Sequence, residues 1–195
     1  NDVTNIGYAA FAGCTGLTTI TIPNGVTLID YATFFGCTGL TSIEIPNSVT
    51  SIGPLAFYGC TGLTSIVIPN SVTRLDYQAF VGCIGLTSVT IGKGVLYISD
   101  IQYSLSVCTG LMSINVVDKD NKYCAVDGVL YDKNITTLIR CPRGKTSVEI
   151  PNSVTSIGKY AFHNCIRVAS IEISNSVTTI EEGDFYYCTG ITSIK

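Results

Sequence analysis

Cysteine recurs in this chain at a fixed interval of 23 residues. Four cysteines follow one another at this step in the first half, and two more keep it near the other end: Cys14, Cys37, Cys60, Cys83, Cys165 and Cys188. A period of 20–50 residues is typical of repeat proteins, in which one unit is too small to bury its own apolar face. The chain is therefore predicted to stack similar coils around one continuous core.

One unit, LTSIEIPNSVTSIGPLAFYGCTG, shows how a coil is built. Apolar and polar residues alternate over residues 40–45, which predicts a short strand. Val49 and Ile52 are predicted to point inward beyond a turn, and Ala56 and Phe57 to fill the far side of the coil. The strand isoleucine column has steps of 23, 23, 23, 25, 34, 23 and 23 and predicts about eight coils: Ile20, Ile43, Ile66, Val89, Ile114, Val148, Ile171 and Ile194.

Composition excludes several classes of protein. Of 195 residues, 46% are hydrophobic and 13% charged, which is too apolar for a disordered chain. No uncharged apolar run approaches the roughly 18 residues that a membrane helix needs, so direct membrane insertion is not expected. The net charge is −3 without any Lys/Arg run, which argues against nucleic acid as a partner.

Two glycine columns mark turns. The residue before the cysteine is glycine in four coils and Asn164 in another, which predicts a positive φ. A second column follows the cysteine by two residues and is broken by Arg167, so that turn either differs or does not require glycine. The columns are Gly13, Gly36, Gly59 and Gly82, and then Gly16, Gly39, Gly62, Gly85, Gly110 and Gly190.

The recurrent text AF.GCTGLTSI.IPNSVTSI resembles the BspA-like class of leucine-rich repeats, found in surface proteins of bacteria and of some parasitic protists. The resemblance covers essentially the whole chain. It implies a leucine-rich repeat solenoid with a parallel β-sheet on the concave face and turns and short helical segments on the convex face. It also implies an extracellular or cell-surface adhesion or binding scaffold, without a cofactor and not an enzyme. We treat residues 1–195 as one array and expect it to be a fragment of a longer chain.

One coil, residues 114–148, is longer than the others and lacks the A-F-x-G-C block. It contains two turn signals, Asp127-Gly128 and Lys133-Asn134, each flanked by apolar or β-branched residues, which predicts a β-hairpin. The resembled family has a similar irregular coil. The stretch DKDN at 118–121 lacks the glycine and glutamate of a calcium loop, so calcium binding is not expected.

The cysteines allow three interpretations. Metal sites need clustered ligands, but one cysteine per coil forms a file, and four tetrahedral ligands do not lie in a row. Disulfides between coils need facing Cβ atoms, whereas stacked side chains point in parallel. We therefore predict buried free thiols for the seven in register. Cys124 and Cys141 lie outside the register, and whether they are bonded stays open.

Catalytic residues are few. The single histidine, His163, occupies a position that varies between coils, which predicts a surface location. Glu149 and Glu172 should be neighbours on adjacent strands and could serve in acid–base chemistry or bind a cation, although a solvated charged pair is the simpler interpretation.

The outward strand positions form the candidate binding surface: Thr19, Thr21, Ser42, Glu44, Ser65, Val67, Ser88, Thr90, Ser113, Asn115, Ser147, Glu149, Ser170 and Glu172. These lack the Trp, Tyr and Arg that dominate interfaces. An aromatic alternative is Phe35, Tyr58, Tyr131, Tyr186 and Tyr187. The expected partner is a protein ligand or a host surface component, and the competing hypothesis is a spacer array. Because neither end has a polar cap, we expect end-to-end association or a continuing array.

Overall fold

The computed structural model describes residues 2–96, 104–105, 107–117 and 121–195. The chain divides into two compact units, Asn1–Gly110 and Leu111–Lys195, here called unit 1 and unit 2. Short parallel strands connect the coils within each unit, which confirms the predicted solenoid of leucine-rich repeat type.

Unit 1 contains two kinds of short strand. The first kind lies in the T-S-I-x-I segment and the second follows the Pro-Asn-Ser-Val turn, and pairing in each ladder is parallel with a step of 23 residues. Isolated bridges join Thr21 to Glu44 and Ile6 to Ile29. The strands of unit 1 are β1 Leu28–Ile29, β2 Ser51–Ile52, β3 Ser65–Ile68, β4 Arg74–Leu75 and β5 Ser88–Ile91.

Unit 2 contains the long coil. Its strands are β6 Ser113–Val116, β7 Tyr123–Val126, β8 Val129–Asp132, β9 Thr137–Arg140, β10 Val148–Glu149, β11 Ser156–Ile157, β12 Ser170–Glu172, β13 Thr179–Ile180 and β14 Ser193–Ile194. Strands β7, β8 and β9 pair antiparallel, which confirms the hairpin. Asp127 (φ 46°) and Gly128 (φ 72°) form its two-residue turn, whose positive φ values suit Asp-Gly. Parallel pairing resumes in the ladders β9–β11–β13 and β10–β12–β14.

The predicted short helical segments are wrong for the part of the chain that the structure describes, where only Ser104 has helical geometry. The segments opposite the strands are successive turns. Leu55 (φ 57°) and Gly59 (φ 69°) are both left-handed, and this interrupts a right-handed helix. The amide of Phe57 donates across to Ala79 O of the next coil at 2.8 Å, so the turns are held between coils.

The positive φ predicted for the first glycine column is confirmed. Its four glycines have φ values between 66° and 76°, and Asn164 has 62°. Val107 (φ 64°) and Tyr187 (φ 58°) take the same conformation at a steric cost that glycine avoids.

The second glycine column is required by close packing between coils. A methyl group added at Gly62 would lie 2.5 Å from the carbonyl oxygen of Thr38 in the preceding coil. Arg167 takes this position in the coil that follows the long coil, which lacks the A-F-x-G-C-T block.

Phenylalanine rings form the centre of each stack. In unit 1, Phe11, Phe34, Phe57 and Phe80 are stacked with centroids 5.1–5.5 Å apart, and the last three are fully buried. Burial of one such side chain contributes roughly 1.5–3 kcal/mol. In unit 2, Phe162 stacks on Phe185 at 5.2 Å.

Candidate binding surface

All fourteen outward strand positions reach solvent. Eight lie in unit 1 and six in unit 2, and only Ser88, Thr90 and Ser113 are half-buried. Alternation along each strand explains this, because in β3 Ile66 and Ile68 are buried while Ser65 and Val67 are exposed. Ligand binding by these residues stays a prediction.

In unit 1 this surface is shallow. Ser65 lies beside Ser88 and Val67 beside Thr90 on adjacent strands. Short hydroxyl and methyl groups leave a flat ladder. A depression of about 130 Å³ lies where Thr21 pairs with Glu44.

In unit 2 the same face forms a groove of about 660 Å³, here called the acidic groove. Strands β10 and β12 position it, and their parallel register places Glu149 directly beside Glu172. Its lining consists of Ser147, Val148, Glu149, Ile150, Asn152, Ser170, Glu172, Ile173, Ser174 and Asn175. The Ser174 hydroxyl donates to Asn152 Oδ1 at 3.3 Å, so part of the polar rim is held in place.

The two glutamates give the groove its negative charge. Neighbouring parallel strands lie about 4.8 Å apart, so two like charges face solvent side by side. Among the described residues that line the groove, none is a lysine or an arginine. The ion pairs found in the described part of the chain, such as Lys145–Asp127 and Lys159–Glu182, do not involve Glu149 or Glu172. A cation placed between the carboxylates would relieve their repulsion.

Only some of the aromatic side chains proposed as the alternative binding surface are exposed to solvent. Phe35 is 39% exposed and stacks on half-buried Tyr58 at 5.0 Å. Tyr186 and Tyr187 are 54% and 59% exposed and tilt against each other at 4.2 Å. The prediction for Tyr131 is wrong, because this residue is fully buried.

Tyr131 is buried because the hairpin packs inward. Its ring lies in the same apolar cluster as Leu138, Cys141 and Phe162. Burial raises the pKa of the Tyr131 phenol, and the neighbouring Cys141 raises it further. The side chain is therefore part of the core and unavailable to a partner.

His163 differs from the prediction of an unconstrained surface residue. It is half-buried, stacks on Tyr186 at 5.7 Å and meets the edge of Tyr160 at 5.7 Å. Burial lowers the pKa of its imidazole, and the positive charges of Arg140 and Arg143 lower it further. The imidazole is in contact with aromatic rings and Asn164, an arrangement that supplies no base–nucleophile pair.

All nine cysteines are free thiols, including Cys124 and Cys141. The predicted burial is confirmed for five of the seven cysteines that keep the repeat register. Cys14 is exposed and Cys188 half-buried. Five thiols donate to the phenylalanine carbonyl of the preceding coil, as in Cys60 Sγ to Phe34 O at 3.1 Å. This ladder includes Cys37, Cys60, Cys83, Cys108 and Cys188. The sequence showed the column, but the hydrogen bond emerges only when coils are stacked.

Metal binding has no support among the described residues, where no group of three or more His, Cys, Asp or Glu residues could hold an ion. Asp118 and Asp120 of the DKDN stretch lie outside the described residues. Asn121 has a structural role, because its Oδ1 accepts from the amide of Tyr123 and its Nδ2 donates to Val117 O.

Family comparison agrees with this architecture. The model of the BspA type leucine rich repeat region matches in six copies, over residues 1–121 and 141–195. The chain belongs to this family. The interval between the matched ranges, residues 122–140, contains all of strands β7, β8 and β9, which explains why the repeat pattern is interrupted there.

Solved structures with this fold include a leucine rich cell surface protein of Faecalibacterium prausnitzii, 34% identical over 96% of the chain with a TM-score of 0.54. A leucine-rich repeat protein of Bacteroides ovatus is 28% identical over 99% with a TM-score of 0.58. The pneumococcal vaccine antigen PcpA, 21% identical over 91% with a TM-score of 0.67, shares the fold.

The chain spans 43%, 58% and 50% of these three proteins, respectively. A search of the curated proteins finds no match. Within the described ranges, no helix has the length and apolar character required to cross a bilayer.

Proposed function

We propose that this chain is a non-enzymatic binding scaffold of a surface-exposed protein and that the acidic groove of unit 2 holds a positively charged segment of a protein ligand. The registered pair Glu149–Glu172 in that groove is the observation on which the proposal rests.

The chemistry of the lining favours a cation. Carboxylates, serine hydroxyls and asparagine amides line the groove, and no aromatic ring is among them. A sugar ligand would lack a stacking platform there, and an anion would meet two negative charges without a basic residue. A lysine or arginine side chain instead finds paired acceptors with hydroxyl and amide groups around them.

A surface location is supported by family membership and by the Faecalibacterium neighbour, which is described as a cell surface protein. The non-enzymatic part is supported by the surroundings of the single histidine, which provide no base–nucleophile pair among the described contacts.

Binding can be tested with a fluorescein-labelled octalysine peptide and an octaglutamate peptide of the same length. Fluorescence anisotropy should show saturable binding of octalysine and none of octaglutamate. The double variant Glu149→Gln/Glu172→Gln is expected to weaken octalysine binding about tenfold or more, because each lost close charge contact at a surface contributes up to about 1 kcal/mol.

The matched control is Asp2→Asn/Glu181→Gln, which changes net charge equally at two exposed positions outside the groove and outside the candidate strand surface. It should bind octalysine nearly as well as the unmodified chain. Equal weakening by both double variants would mean that general charge attraction explains the binding. No saturable octalysine binding would refute the proposal and favour the spacer hypothesis.

A further inference from the structure

Cys141 occupies the position that phenylalanine holds in other coils. The Phe34 amide donates to Ala56 O of the next coil at 2.8 Å, and the Cys141 amide donates in the same way to Ala161 O, also at 2.8 Å. The long coil lacks the A-F-x-G-C block, so a smaller side chain fills this core position. A thiol therefore lies in unit 2 where other coils place an aromatic ring.

Cys165, in the coil that follows, packs against this cysteine. Its equivalents in other coils donate to a phenylalanine carbonyl of the preceding coil, as in Cys60 Sγ to Phe34 O at 3.1 Å. The carbonyl that accepts from Cys165 Sγ belongs instead to Cys141, at 3.6 Å. Cys165 therefore meets a second cysteine at the position where its equivalents meet a phenylalanine.

The two thiols interact within the apolar core, where both are 0% exposed. The Cys141 thiol has two acceptors, Pro142 O at 3.4 Å and the Cys165 sulfur, and the second contact lowers the pKa of Cys165. Burial opposes this shift, whereas the positive charges of Arg140 and Arg143 support it. The same contact, together with burial, raises the pKa of Cys141. Cys165 is therefore the thiol of the pair that ionises more readily.

The other two cysteines of unit 2 face different groups. Cys124 Sγ donates to Asp132 O at 3.3 Å, and Cys188 Sγ donates at 2.9 Å to a carbonyl of the coil before it. Adjacent parallel strands lie about 4.8 Å apart, and the Cα atoms of a disulfide about 4.4–6.8 Å apart. Neighbouring coils thus have the spacing that a disulfide needs, and Cys141 and Cys165 contact each other across it.

We propose that Cys141 and Cys165 form a disulfide bond that joins the long coil to the coil after it, with a small-molecule disulfide as the oxidant. The Cys165 thiolate attacks one sulfur of the oxidant and releases its first thiolate. The Cys141 thiol gives its proton to that thiolate and attacks the Cys165 sulfur. The second thiolate leaves and takes up the proton that Cys165 had lost. The protein thereby loses two electrons and two protons, which the oxidant gains as two thiols.

Burial and loop closure determine how this bond behaves. The oxidant reaches the buried pair only when the coil opens locally, so oxidation should be slower than at exposed Cys14. The bond restricts the unfolded chain and should raise the melting temperature by roughly 5–10 °C. Neither cysteine lines the acidic groove, so the cross-link is independent of the proposed peptide binding.

Peptide mapping tests the bond directly. The unmodified chain is incubated with oxidised glutathione, its remaining thiols are blocked with N-ethylmaleimide in urea, and it is digested with trypsin without reduction. Trypsin cleaves after lysine and arginine, so Cys141 is released in the peptide 141–143 and Cys165 in the peptide 160–167. Mass spectrometry should find these peptides joined, at about tenfold the yield from a chain oxidised in urea, because nine cysteines pair at random when unfolded.

Two variants separate this bond from general thiol oxidation. Cys165→Ala removes one partner, and the control Cys83→Ala removes an equally buried thiol of the same column in unit 1. After oxidation, reduction with dithiothreitol should lower the melting temperature of the unmodified chain and of Cys83→Ala by roughly 5–10 °C. The same treatment should leave the melting temperature of Cys165→Ala unchanged.

Three results would overturn the proposal: no joined peptides after oxidation of the folded chain, a yield no higher than in urea, or a melting temperature of the oxidised unmodified chain that reduction leaves unchanged. All three are measured on the unmodified chain, so they decide even if Cys165→Ala does not fold.

Discussion

The replacement Gly62→Ala tests the packing between coils most directly. The added methyl group would lie 2.5 Å from Thr38 O and 3.1 Å from Leu40 O, whereas ordinary contact begins at 3.4 Å. The coil must therefore move back by about 0.9 Å, since nearby backbone atoms cannot rotate away as a side chain does. No positive φ occurs at Gly62, so the cost comes from this collision and not from backbone conformation.

The movement weakens bonds next to the collision. The Thr64 amide donates to Thr41 O at 3.3 Å, and a shift of this size takes the bond beyond hydrogen-bonding range. Overpacking costs about 1–3 kcal/mol and a lost backbone hydrogen bond about 1 kcal/mol. We expect a loss of about 3 kcal/mol, which corresponds to a lower melting temperature by about 6–12 °C for a chain of this size.

Gly16→Ala is the matched control, because it makes the same change in the same column with no atom within 4 Å. Its effect should be within about 0.5 kcal/mol of zero. Both variants are melted at the same micromolar concentration and followed by far-ultraviolet circular dichroism. Equal melting temperatures for the two variants would refute the close-packing explanation of this column.

Three further predictions concern side chains in the core and turns. Burial raises the pKa of the Cys60 thiol to about 12, so a disulfide reagent at pH 8 should label exposed Cys14 rapidly and Cys60 only after unfolding. The variant Cys60→Ala should lower the free energy of unfolding by about 1–2 kcal/mol, because Phe34 O loses its hydrogen-bond donor. Burial raises the pKa of Asp184 to about 6, so its stabilising protonated form is complete below pH 4 and is lost as pH rises through 6. Asp184→Asn should therefore have the same free energy of unfolding as the unmodified chain at pH 4 and a higher one at pH 7, by about 1 kcal/mol after discounting for solvent screening. Urea denaturation measures both values, and denaturation curves that coincide for the two proteins at both pH values would contradict the prediction. Gln78 has φ 60°, so Gln78→Gly should raise stability by about 0.5–1 kcal/mol in the same urea assay, and a loss of stability would count against the strain argument.

Much of the fold could be predicted from the sequence because the repeat specifies local neighbours. The 23-residue step gave the parallel register, as in Glu149 beside Glu172, and Asp127-Gly128 gave the hairpin turn. The positive φ of the column that contains Gly59 and Asn164 could be predicted because few other residues tolerate that conformation.

Other features depended on contacts between coils. Helical segments were expected opposite the strands, but Leu55 and Gly59 are both left-handed and their neighbours bond to the next coil. Tyr131 was expected on the surface, because an aromatic residue in a hairpin can face either way until its packing partner is known. The acidic groove was missed as a shape, although its two glutamates were identified.

By itself, the sequence determined the repeat step, the strand alternation and the identity of the residues that become neighbours, because each coil contacts mainly the coils before and after it. The tertiary structure alone decided exposure. Ile157 and Ile180 occupy the same position in successive coils, yet one is buried and the other is half exposed. The local sequence decides where on the coil a side chain lies, but only the packing of a neighbouring coil removes that side chain from water.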